Sequence, residues 1–200
     1  MFHVGITGGI GTGKSMVCAI FKCLRIPVYD ADSRAKELMT TDGILVSQIK
    51  KEFGNLSYSE AGVLNRTYLA QTVFGEEEKR QRLNALVHPR VAVDYQAWAS
   101  GQKSTYVVRE AALMYEAGAD RTVDFMIVVT APEALRIQRV RQRDPHRTEK
   151  DIQNIMARQW PEDEKRKRAD AVIINDETQL VIPQVLKLHE RFLRGNQKHV

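Results

Sequence analysis

Eight residues near the N-terminus constrain this chain more than any other feature: Gly8-Gly9-Ile10-Gly11-Thr12-Gly13-Lys14-Ser15. They fit the spacing G-x-x-x-x-G-K-[ST] in full. A short apolar run, His3 to Thr7, precedes them. Residues 13 to 24 follow, with Val17, Ile20, Phe21 and Leu24 at helical spacing. A strand, a glycine-rich turn and a helix in that order form a cradle for anions. The glycines let the backbone curl so that successive N–H groups face inward, and the helix adds the positive end of its dipole. Lys14 is suited to neutralise charge on β- and γ-phosphates, and Ser15 to offer its hydroxyl to Mg²⁺. The full pattern in this context disfavours the alternative, a glycine-rich turn with a chance lysine.

The rest of the chain alternates strands with helices. Pro27 to Asp30 reads as a second strand entering an Asp30-Ala31-Asp32 turn, and Ser104 to Val108 as a third. Asp124 to Thr130 is a buried-type fourth strand and Ala171 to Ile174 a fifth. This alternation predicts an α/β fold with a five-stranded parallel sheet and right-handed crossovers. Over 70 residues separate the second strand from the third, far more than a plain crossover needs. Residues 34–98 therefore read as a helical insertion, broken near Gly54 to Gly62 and at Pro89. Glu133 to Arg143 is a basic helix, 149–168 a charged helical stretch interrupted at Pro161, and Gln179 to Leu193 a closing helix. The expected organisation is a single domain. Its core spans 1–33, 99–135 and 169–200, with a substrate-binding insertion at 34–98 and a lid at 136–168.

Two hundred residues, 43% apolar and 28% charged, are ordinary for one globular domain. They exclude a disordered chain or a disulfide scaffold. No run of about 18 apolar residues is present to span a membrane. The opening Met1-Phe2-His3-Val4-Gly5 lacks the basic region of a signal peptide. Cys18 and Cys23, five apart in a helix, cannot form a zinc site alone and read as reduced packing residues of a cytoplasmic protein. The net charge of +5 has one source. Residues 136–168 hold 11 basic and 6 acidic side chains, and the remainder balances 19 against 19. Such a segment suits a grip on nucleic acid or a lid that closes on polyphosphate.

The cradle implies a nucleoside triphosphate with Mg²⁺. No aspartate begins a D-x-x-G, and N-K-x-D and L-S-G-G-Q are absent, which leaves a small kinase for a metabolite. Asp30 and Asp32 follow the second strand, where ligands of an open parallel sheet bind. A carboxylate there can accept the proton of an attacking hydroxyl or hold a metal-bound water. The other reading of Asp32, or of Ser33, is the cap of a helix beginning at Arg34. Arg136, Arg139 and Arg143 share a helix face while Arg141 points away. They read as a lid that closes on the transferring phosphate, or as a solvated face paired with Asp144, Glu149 and Asp151. His88, before Pro89, reads from spacing alone as a structural hydrogen-bonding group. Trp98 and Trp160 are more suited to packing than to stacking on a purine.

Together these segments resemble the bacterial dephospho-CoA kinases. Gly5 to Ser15 is similar to that family's opening, and Val28-Tyr29-Asp30-Ala31-Asp32 to its second-strand D-A-D. Phe53-Gly54, Gly62 to Arg66 and Val73-Phe74 follow its middle pattern, and Leu86-Val87-His88-Pro89 resembles its L-x-H-P. Arg139, Arg143-Asp144, Gln159, Ala169 to Ile173 and Asn175 resemble its closing signature. The resemblance implies transfer of a phosphoryl group from ATP to the ribose 3′-hydroxyl of dephospho-CoA, in a P-loop kinase fold. It implies Asp32 as general base, with Asp32 and His88 at the acceptor. It implies Gly9, Gly11, Thr12, Gly13, Lys14, Ser15, Met16 and Asn175 at ATP, Asn175 lying toward the adenine. It implies Ser15 at Mg²⁺, and Arg139 and Arg143 on the lid, with Lys14 and Arg139 catalytic. Ala112, Met16 and Arg25 depart from residues usual in the family. The readings left beside it are a kinase for another small hydroxyl or nucleotide acceptor, and a nucleotide-dependent nucleic-acid binder. Whether Glu110 or Glu116 joins the metal shell stays open.

Overall fold

Five short apolar runs form one parallel sheet: β1 (Phe2–Thr7), β2 (Val28–Asp30), β3 (Tyr106–Glu110), β4 (Phe125–Thr130) and β5 (Ala171–Ile174). Their order is β2-β3-β1-β4-β5. The computed structural model describes residues 1–73 and 76–195. Phe74 of the middle pattern, and residues 196–200 of the expected core, lie outside the described residues. The helices are α1 (Lys14–Cys23), α2 (Ala31–Thr41), α3 (Gly43–Phe53), α4 (Arg66–Val73), α5 (Glu77–Ser100), α6 (Glu133–Arg143), α7 (Glu149–Ala157), α8 (Glu162–Arg168) and α9 (Val181–Leu193). Contacts divide the chain into two units, 1–30 with 102–200, and 31–101.

In the first unit, β4 is buried along its whole length, as a continuous apolar strand with neighbours on both edges must be. Alternate residues Val4, Ile6, Ile127 and Val129 pack with Val17 and Phe21 of α1 and with Val185 and Phe192 of α9. Phe192 meets the rings of Tyr106 and Phe125, each at 5.1 Å. Truncating it to alanine removes about 3–5 kcal/mol. Helix α1 stops at Arg25, whose φ of 60° is left-handed. Ile26 N–H returns to Phe21 O at 3.0 Å and Arg25 N–H to Lys22 O at 2.9 Å, which satisfies the last carbonyls. Cys18 is a packing residue whose thiol burial pushes up to about 12. Cys23 is exposed, contrary to the packing role expected of it, because α1 turns that position to solvent. The third strand runs Tyr106–Glu110 rather than Ser104 to Val108. Pairing decides it: β3 has partners on both edges, and Arg109 and Glu110 stay in register with Gly5 and Ile6.

The second unit is helical. Helix α2 starts at Ala31, directly after β2, so no turn forms at Asp30-Ala31-Asp32 and neither Asp32 nor Ser33 caps a later helix. Asp32 lies in the first turn, where its charge meets the positive end of the helix dipole. The break near Gly54 to Gly62 is present, as a short 3₁₀ turn at Asn55–Ser57 and an irregular stretch after it. Pro89 breaks nothing: α5 passes through it. The buried stripe Val87, Val91, Tyr95 and Ala99 outweighs the roughly 3 kcal/mol that an interior proline costs. Asp42 caps α3 by accepting from Leu45 N–H at 2.9 Å and takes the Arg90 Nε of α5 at 2.8 Å. Burial opposes its ionisation, but these partners prevail and hold its carboxyl below the usual range.

Candidate active site

The glycine-rich turn leaves β1 where the sheet order reverses, with β3 on one side and β4 on the other. Ligands of open parallel sheets bind at that point, outside the carboxyl ends of the strands. Gly13 is the N-cap of α1 at φ 92°, a left-handed angle that disfavours any residue with a side chain. A Cβ there would stand 2.2 Å from Asn175 Nδ2. The Gly13 carbonyl accepts from Met16 N–H at 3.0 Å and Val17 N–H at 3.3 Å, which starts the helix. Lys14 Nζ folds back over the turn and donates to Gly8 O at 3.0 Å and Gly9 O at 3.3 Å, with Glu110 Oε1 4.0 Å away. Ser15 and Met16 are exposed in the first helical turn.

Two of the expected nucleotide-binding residues brace the turn from beneath. Thr12 is fully buried, and its hydroxyl donates to Gly9 O at 2.9 Å. Asn175, just past β5, is buried too, and its amide donates to Thr12 O at 2.8 Å. At the opposite edge, β2 and β3 set Asp30 level with Glu110. Glu116 is differently engaged. It accepts from Trp160 N–H at 2.7 Å and pairs with buried Lys165 at 2.8 Å, so Glu110 is the glutamate beside Lys14.

The arginines of α6 divide in two. Arg136 is buried; its Nε donates to Ile10 O, and one Nη to Glu162, both at 2.9 Å. Burial raises the Glu162 carboxyl, and Arg136 only partly offsets that. Arg139 donates to Asn175 O at 3.0 Å and to Glu177 at 3.2 Å. Arg141 stands 3.9 Å from Glu149 and exposed Arg143 bonds Asp144 at 2.9 Å, while Asp151 closes a capping box with Thr148. The Arg143 hydrogen bond is the main reason the Asp144 carboxyl lies below the usual range. The contact of Arg136 with the turn was not foreseen. Its only trace in the sequence is the helix face it shares with Arg139 and Arg143. Tyr115 and Arg168 already pack on the Trp160 ring, at 5.8 and 4.7 Å. Trp98 stacks on Tyr95 at 6.1 Å. Asp32 and His88 belong to the 31–101 unit, Asp32 exposed on α2 and His88 half-buried on α5.

Among the described residues no helix is long and apolar enough to cross a membrane. The family model described as Dephospho-CoA kinase matches residues 2–180. A dephospho-CoA kinase of Salinibacter ruber is 41% identical over 181 residues, spanning 89% of this chain and 90% of that protein. A crystal structure from Thermus thermophilus superposes with a TM-score of 0.82 at 29% identity, covering 98% of each chain. A dephospho-CoA kinase from Campylobacter jejuni, 23% identical and also covered over 98% of each chain, shares the fold at a TM-score of 0.69.

Proposed function

The chain belongs to the dephospho-CoA kinase family, and from that premise we propose how its residues divide the work. The reaction moves the γ-phosphoryl group of ATP to the ribose 3′-hydroxyl of dephospho-CoA, giving coenzyme A and ADP. One observation carries the assignment of the ATP site: Lys14 folded over the 8–15 turn, at the carboxyl end of the central strand and beside Glu110. The N–H groups of the turn and of the start of α1 take phosphate oxygens, and Lys14 moves from the loop carbonyls onto the transferring group. Gly9, Gly11, Gly13 and Met16 form the rest of the phosphate cradle, with Thr12 and Asn175 supporting it from below. Asn175 also faces the adenine side, and Arg139, which donates to Asn175 O, is the catalytic arginine of the lid.

Mg²⁺ takes oxygen ligands, and the Ser15 hydroxyl with the Asp30 and Glu110 carboxylates is an all-oxygen set that suits it. Ser15 would hold the ion, with Glu110 as the acidic neighbour. When bound, the ion neutralises charge on the β- and γ-phosphates.

Asp32 accepts the proton of the 3′-hydroxyl as the oxygen attacks phosphorus in line. Its exposed carboxylate stands two residues beyond the end of β2, and His88 is assigned to hydrogen-bond the acceptor. Residues 136–168 act as the lid. Arg143, exposed and paired with Asp144, swings onto the phosphoryl group and helps exclude water, which suppresses futile ATP hydrolysis. The cytoplasm, where ATP is abundant, is the compartment this reading assigns.

The test is acceptor-dependent ADP release from Mg²⁺·ATP, with dephospho-CoA beside adenosine, AMP, pantetheine and gluconate. Release with dephospho-CoA alone, yielding coenzyme A, is the expected result. Release with another acceptor keeps the phosphate chemistry and overturns the substrate. ATP binding without release, joined to salt-steep binding of nucleic acid, would point to a binding module. Asp32→Asn should keep ATP affinity and lose about 10²–10⁴-fold in turnover; near-normal turnover removes it as the base.

A further inference from the structure

Both backbone polar groups of Ile10, in the middle of the glycine-rich turn, are held by residues far away in sequence. Arg136 Nε donates to Ile10 O at 2.9 Å, across 126 positions. Gln159 Oε1 accepts from Ile10 N–H at 2.9 Å, across 149 positions. Glu162 fixes Arg136 in turn at 2.9 Å. The fit is close: a Cβ on Gly9 would lie 2.2 Å from the Arg136 guanidinium. A bulkier residue at position 9 would push the clamp away. Helix α6 and the connection between α7 and α8 therefore converge on one residue of the loop, and α8 holds Arg136 in place through Glu162.

We propose that Arg136 and Gln159 are positioning residues that hold this loop in its phosphate-accepting shape. The inference rests on the reading that residues 8–15 bind ATP. A curled glycine-rich segment loses much conformational freedom when ordered. In the structure Lys14 supplies part of that order by donating to Gly8 O and Gly9 O. Those bonds are given up when Lys14 turns to phosphate. The Ile10 contacts do not involve Lys14, so they keep the curl while Lys14 moves. They also satisfy both backbone polar groups of Ile10 without drawing on any group of α1. A loop ordered in advance binds its anion without a further ordering cost. Because both clamps come from the 136–168 segment, the shape of the loop is tied to how that segment docks.

The test is steady-state kinetics on Arg136→Met and Gln159→Leu, with Gln159→Glu as the conservative variant and Lys14→Ala as the control. Each clamp variant should raise the KM for ATP about tenfold, the scale of one lost hydrogen bond, and leave the KM for dephospho-CoA within about twofold. Gln159→Glu, which keeps an oxygen for Ile10 N–H, should recover most of the ATP affinity. Lowered melting temperatures with an unchanged KM for ATP would make both residues merely structural and overturn the proposal. If Arg136→Met does not fold, Gln159→Leu, at a half-buried site, decides alone. Loss of ATP binding in Lys14→Ala with normal binding in the clamp variants sinks the clamp only. Normal ATP binding in Lys14→Ala sinks the reading of the loop itself.

Discussion

The two halves of α6 carry the same side chain into different surroundings. Arg136 and Arg139 are fastened to backbone oxygens of the core, Ile10 O and Asn175 O. Arg141 and Arg143 lie outside it, with 63% of each side chain exposed, on the carboxylates of Glu149 and Asp144. An arginine that satisfies buried carbonyls is expensive to move, since each abandoned oxygen loses its partner. An arginine on a surface carboxylate gives up little when it leaves. The inner pair is suited to hold a shape and the outer pair to change position, which is the division that the proposed lid requires of this helix.

That division can be broken by experiment. The largest effect is expected from Arg143→Ala, a fall in kcat of about 10²-fold with only a small loss of melting temperature; a kcat within twofold would return Arg143 to a solvated face. Arg139→Ala should destabilise by about 1–3 kcal/mol in urea titrations, because Asn175 O is left without its donor. Equal stability would show that the inner half is not fastened as described. A smaller effect is expected at Asp144, whose carboxyl Arg143 holds below the usual range. The pair supports the folded state above the ordinary carboxylate range, and that support fades as pH falls through the lowered value. In Arg143→Ala the Asp144 resonance should titrate at higher pH; no movement would deny the pairing. Arg141→Ala should change kcat by less than about twofold and stability by less than about 0.5 kcal/mol. A larger loss of stability would blur the boundary between the halves, and a larger loss of kcat would place Arg141 beside Arg143 at the phosphoryl group.

Much of the molecule was legible before any coordinates. The α6 and β5 boundaries read from the sequence coincide with Glu133–Arg143 and Ala171–Ile174, since periodicity and a bounded apolar run mark them clearly. The parallel sheet followed from alternation. Pro89 misled, because local propensity cannot register the stripe from Val87 to Ala99 that keeps α5 whole. The end of β3 misled because the pairing of Arg109 and Glu110 depends on neighbours that hydropathy does not see. In the site, Lys14 and Ser15 were readable from spacing. The place of Asn175 near the loop was readable only through the family resemblance, and the bond from its amide to Thr12 O depends on a partner 163 positions away.

By itself the sequence determined the strand, glycine turn and helix at residues 2–23, and with them the chemistry that the loop favours. Those depend on contacts within a few residues, where glycine freedom, a helix start and one lysine act together. Tertiary structure alone decided which arginine meets the loop and that Gln159 closes on the same residue. The helical period places Arg136 on a face with Arg139 and Arg143. What that face rests upon is settled only when β4 and β5 pair and carry α6 and the 149–168 segment against β1.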